Sequence, residues 1–132
     1  MTAATEIVTG VDFVTIPTQD LDRAVDFYGN TLGLERSVYY PDRNFAEFET
    51  HTVTFSVIVA EKFGFDFTPN RNPVALHVED VADARATLEA RGIEFAGETL
   101  DTGVCHMAFF ADPDGNAFML HHRYAKRVPT GS

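Results

Sequence analysis

The chain is poor in the features that would assign it quickly. One cysteine in 132 residues excludes an intramolecular disulfide and fits a reducing cytoplasm. No apolar run approaches the ~20 residues that a membrane-crossing helix needs. The first ten residues, MTAATEIVTG, place no basic cluster ahead of an apolar stretch, so no secretory signal is expected. Positive charge is scarce: 10 Lys and Arg stand against 20 Asp and Glu, a net charge of −10. Without a local basic stripe, that balance argues against a nucleic-acid partner. An acidic surface serves solubility, and it would also tolerate or attract a cationic ligand.

What the chain does contain is a repeat. Val11–Thr18 is β-branched and aromatic and reads as a strand, with Pro17 suited to its end. Asp20 reads as a helix start. Leu21, Ala24, Val25, Tyr28 and Leu32 recur at helical spacing, and Gly33 closes the helix. Strands follow at Leu34–Tyr40, Phe45–Thr50 and Thr52–Ala60. After a connection over 61–73, the order returns: strand Pro73–Val78, a helix from Asp80 to Gly92, then strands Ile93–Gly97, Val104–Ala111 and Asn116–Arg123. Asp20 and Asp80 begin corresponding helices 60 residues apart. A repeat of this length decides the architecture. The expected fold is α+β: two tandem βαβββ modules forming a curved mixed sheet around a concave cavity, with helices on the outer face. The lead-in covers 1–9, module one 10–66, module two 67–124 and a polar tail 125–132, the modules forming one structural domain.

In the last hairpin, two apolar runs flank Asp112-Pro113-Asp114-Gly115. Proline presets the turn, aspartate can bond the local backbone and glycine accepts positive φ, so the segment reads as a β-hairpin. Its strands carry Cys105, Met107, Met119 and His121, all soft or titratable groups. In the connection, Phe63, Phe65 and Phe67 fall on one side of an extended segment, either packed on the body or serving as a lid or dimer contact.

Particular residues carry a resemblance beyond the repeat: Phe13-Val14-Thr15-Ile16, Asp20-Leu21-Asp22-Arg23-Ala24 with Phe27-Tyr28, Leu32-Gly33-Leu34, Leu76-His77-Val78-Glu79-Asp80-Val81, Arg91-Gly92-Ile93, and Asp112-Pro113-Asp114-Gly115-Asn116. Over residues 10–123 the chain resembles the vicinal oxygen chelate superfamily, which includes glyoxalase I, extradiol dioxygenases and the fosfomycin- and bleomycin-resistance proteins. The resemblance implies the paired-module fold, and it implies no single activity, because that superfamily spans lyases, isomerases, oxygenases, transferases and binders.

Metal-dependent members of that superfamily hold a divalent ion with His, Gln or Glu from the first and last strands of each module. Mapped through Asp20 and Asp80, those positions fall on Phe13, Pro73, Met119 and, within a residue or two, Ser56. Phenylalanine and proline cannot ligate, methionine is a soft ligand suited to Cu(I), and serine is weak. The expectation is therefore no metal and no other cofactor, with a divalent ion as the alternative.

Strand alternation sets the expected cavity lining: Phe13, Thr15, Pro17, Ser56, Pro73, Ala75, His77, Cys105, Met107, Phe109, Ala117, Met119 and His121. His77, His121 and Cys105 are its polar handles and the candidate catalytic groups. Each has a structural alternative: the imidazoles can bond nearby backbone, and Cys105 can be a buried small hydrophobe. By the same parity His106 and His122 face away, and His51 lies at a solvated turn. The expected function is binding of a small aromatic or amphipathic molecule, without the usual metal, by a cytoplasmic homodimer. The alternative is a glyoxalase-like lyase or isomerase using His77 and His121 as acid/base pair or as non-standard metal ligands. A third is an interaction module built on Phe63-Phe65-Phe67.

Overall fold

Both helices start as the sequence dictates. In the computed structural model, which describes residues 5–127, the Asp20 carboxylate accepts the Arg23 N–H at 3.1 Å and the Asp80 carboxylate accepts that of Asp83 at 2.9 Å. Each aspartate thereby satisfies an amide that a helix N-terminus leaves unpaired. Module one runs β1 (Phe13–Thr18), α1 (Leu21–Asp26), β2 (Glu35–Tyr40), β3 (Phe45–Glu49) and β4 (Thr54–Val59). Module two runs β5 (Val74–His77), α2 (Val81–Ala90), β6 (Ala96–Asp101), β7 (Cys105–Ala111) and β8 (Ala117–Arg123). The eight strands form two four-stranded mixed sheets, ordered β1-β4-β3-β2 and β5-β8-β7-β6. In each sheet the first strand lies parallel to the last, the rest being antiparallel.

Two expected elements are corrected. Residues 5–9, the described part of the expected lead-in, form no strand; residues 1–4 and 128–132, parts of the expected lead-in and tail, lie outside the described residues. The first helix is α-helical only to Asp26 and continues as a π-helical turn, Phe27–Thr31, in which the Leu32 N–H reaches Phe27 O at 2.9 Å. Gly29 lies in that turn, where a β-carbon would sit 3.5 Å from the Phe48 ring. The strand expected at Ile93–Gly97 starts at Ala96 instead. Ile93 is apolar for another reason: it follows Gly92 (φ 96°) in the C-terminal cap of α2, with Gly92 N–H on Glu89 O and Ile93 N–H on Leu88 O, both at 3.0 Å.

The core is shared between the modules. Tyr28 and Phe55 of module one meet Phe118 of β8 at ring-centroid distances of 6.0 and 5.8 Å, and Phe110 stacks on Phe118 at 5.7 Å. The 112–116 turn fastens this union. Asn116, fully buried, donates from Nδ2 to Pro17 O and to Asp112 Oδ2, both at 2.8 Å, and accepts the Asn70 N–H on Oδ1 at 2.8 Å. The Tyr28 hydroxyl donates to Asp112 Oδ2 at 2.5 Å. Asp114 accepts from Thr18 Oγ1 at 2.5 Å, and from the Gln19 amide and the Arg23 guanidinium at 2.9 Å each. The turn is thus a joint: its carboxylates and amide hold the end of β1 and the start of α1 from across the chain.

Candidate functional site

Burial alternates along the strands as a period of two requires. On β8, Phe118 and Leu120 are buried, while Ala117, Met119 and His121 are half-buried on the other face. On β7, Ala108 and Phe110 are buried, with Met107 and Phe109 half-buried opposite. On β1, Ile16 and Thr18 are buried, whereas Phe13 is 55% exposed and Thr15 exposed. Register sets the outward side chains of module two in rows: Ala75, Met119 and Phe109 in one, His77, His121 and Met107 in the next. In module one, Thr15, Ser56 and Glu47 form one row, and Pro17, Ile58 and Phe45 another. Glu47 and Glu49 bring carboxylates to that face. Only the β3–β4 register reveals them, so residue type alone gave no signal.

A different surface encloses space. Between the modules, on the helix side of edge strands β1 and β5, lies a cavity of about 680 Å³. Val14, Leu32, Leu34, Val53, Phe55, Val74, Leu76, Val78, Ala84, Leu88 and Leu120 form its apolar walls. Thr50, His51, Thr52, His77, Thr87 and Arg91 supply the polar atoms around it. Of the thirteen residues expected to line a cavity, Ala75 and His77 line this one; the others mapped above lie on strand faces that the helices leave uncovered, and Pro73 is exposed just before β5. The physical reason is that β1 and β5 belong to separate sheets, so their inward side chains are only partly covered. Val14, Val74 and Leu76 read in sequence as ordinary core, which concealed the cavity.

The polar handles are placed as follows. Cys105 is buried, opposite Arg123 in the ladder, and the Arg123 Nη1–H points to its Sγ at 3.8 Å. His121 is half-buried. The His77 ring lies 5.8 Å from that of His122, and its Nε2 is 3.2 Å from Glu79 Oε1. The parity argument that set His122 apart from His77 fails here because β5 is an edge strand that ends at His77, which frees that side chain to reach round the edge. His51 sits at φ 76° between β3 and β4, at the cavity. Asp101, exposed, accepts the Gly103 N–H and the Tyr124 hydroxyl. These two bonds hold its carboxyl below the usual carboxylate range, the backbone bond most, and in return its acceptance of the Tyr124 proton raises that phenol.

The positions that carry metal ligands in the resembled superfamily do not fit a metal. Phe13 and Pro73 offer no donor atom, Met119 only a thioether and Ser56 only a hydroxyl on a side chain 7% exposed.

The fold and the joined modules agree with sequence comparison. The chain belongs to the glyoxalase/bleomycin resistance protein/dioxygenase superfamily, whose sequence model matches residues 10–120. Among solved structures, a member of that superfamily from Sphaerobacter thermophilus is 26% identical, with TM-score 0.75, covering 88% of this chain and 98% of its own. TnmS3, an antibiotic-binding protein from Streptomyces, is similar at 22% identity and TM-score 0.76, covering 90% and 99%. Lactoylglutathione lyase from Agrobacterium tumefaciens is similar at 16% identity and TM-score 0.75, covering 86% and 93%. At such identities the likeness of the last two is one of fold. No match is found among curated protein sequences. No helix among the described residues is long and apolar enough to cross a membrane.

Proposed function

We propose that this protein binds a small aromatic or amphipathic molecule, without a divalent ion at the superfamily's usual ligand positions. One observation carries the reading: the cavity of about 680 Å³ between the modules, which falls in the size range of small-molecule sites, ~300–1,000 Å³. Its walls are apolar, and Thr, His and Arg side chains around it can orient a polar end. TnmS3, an antibiotic-binding protein of the same fold, lends support by analogy. The lone cysteine suits a reducing cytoplasm.

A second reading places the ligand on the uncovered strand faces, closed by another copy of the chain in a homodimer. It is favoured by Phe13, 55% exposed, and by the half-buried Met107, Phe109 and Met119, apolar groups that a partner surface would cover.

Thermal shift and calorimetric titration against amphipathic aromatic compounds, with EDTA present, test both. Val53→Glu places a carboxylate in the cavity wall at a turn, and is expected to weaken binding by about tenfold or more while Met119→Glu leaves it unchanged. The reverse pattern favours the strand faces, and sedimentation would then show a dimer. Failure of every compound to bind removes both readings.

A further inference from the structure

We infer that His77, Glu79 and His122 form a binding site for a divalent transition-metal ion, at a place unrelated to the superfamily ligand positions mapped above. His77 ends β5, Glu79 follows two residues later, and His122 lies on β8. The Val78 N–H bonds His121 O at 3.1 Å, which carries the parallel pairing one residue past the strand end. That bond anchors the residue between His77 and Glu79, whose side chains meet at 3.2 Å. One donor atom from each of the three residues lies within 4.8 Å of the others. Ligands ~2.1 Å from a tetrahedral ion stand about 3.4 Å apart. The His77–Glu79 pair already has that spacing, and both side chains are exposed, so small rotations close the remainder.

A second observation points the same way. His122 Nδ1 is buried and has no hydrogen-bond partner among the described residues. In the Nε2–H tautomer this nitrogen carries a lone pair that a bound ion would satisfy, and an imidazole and a carboxylate lie beside the ring. Two imidazoles and one carboxylate suit zinc or a neighbouring first-row ion and leave coordination positions open. The net charge of −10 favours cation accumulation. His77 also lines the cavity, so an ion there would present its open positions at the rim, where an oxygen or nitrogen of a bound molecule could complete them. The site itself does not depend on that molecule, and its test uses none.

Tag-free protein stripped with EDTA and dialysed is titrated with Zn²⁺ by calorimetry and with Co²⁺ by visible absorption. One equivalent is expected to bind, with Co²⁺ giving a d–d spectrum of low coordination number. His122→Ala and Glu79→Gln are each expected to weaken binding by about tenfold or more, while His121→Ala and His106→Ala leave it unchanged. Should His122→Ala fail to fold, His77→Gln at an exposed position decides instead. Absence of stoichiometric binding, or binding that survives these substitutions, overturns the inference. Ligand binding in EDTA would be untouched by either result.

Discussion

Asn116→Ala is expected to lower the unfolding free energy by about 3–5 kcal/mol and the melting temperature by roughly 10–20 °C. The reason is accounting of hydrogen bonds at a site no water reaches. The side chain is fully buried and joins three segments distant in sequence: Pro17 at the end of β1, Asn70 in the connection, and Asp112 across the turn. Alanine leaves the Pro17 carbonyl and the Asn70 amide unpaired and deprives a buried carboxylate of a donor. Each orphaned group costs about 1–3 kcal/mol. Urea denaturation with an unchanged m-value would identify the loss as native-state stability. A cost below about 1 kcal/mol would show that the turn is no joint.

Alkaline stability supplies the second large effect. Burial, and then the neighbouring charge of Asp112, push the Tyr28 phenol far above its ordinary value near 10. The folded protein therefore keeps this proton while the unfolded chain loses it. Protons bound in the native state then exceed those in the unfolded state, so stability falls as pH rises past about 10, by about 1.4 kcal/mol per pH unit for this one group. Below that pH the contribution is fully present. Tyr28→Phe is expected to remove this component of the slope. It is also expected to cost about 2–3 kcal/mol at neutral pH, because Asp112 loses its phenolic donor. Tyr124 is present in both proteins, so its titration cancels in the comparison. Identical alkaline slopes for the two proteins would contradict the assignment.

Both effects arise at the turn that the sequence marks most plainly, and there the lesson about legibility is clearest. Proline, aspartate and glycine announce a hairpin, and the hairpin forms. Nothing local announces that Asp112 receives Tyr28 from 84 positions away or that Asn116 reaches Pro17, because those bonds exist only once the modules dock. The repeat was legible for a related reason: aspartate caps, helix-closing glycines and period-two strands are short-range signals, and they recur in both halves. Ile93 shows their limit. An apolar residue after a glycine reads as the start of a strand, yet it closes a helix cap. The cavity was concealed similarly, since Leu76 and Val14 look like core until two sheets separate around them. His122 was lost to strict alternation, which fails at a strand's free edge.

The central claim is that a small aromatic or amphipathic molecule is held between the modules. Hydrogen–deuterium exchange with and without a compound found to bind in EDTA tests it most directly. Residues 32–34, 50–53, 74–78 and 84–91, which contribute to the cavity lining, are predicted to gain protection together. Protection confined to 105–109 and 117–121, on the uncovered strand face, would contradict the claim.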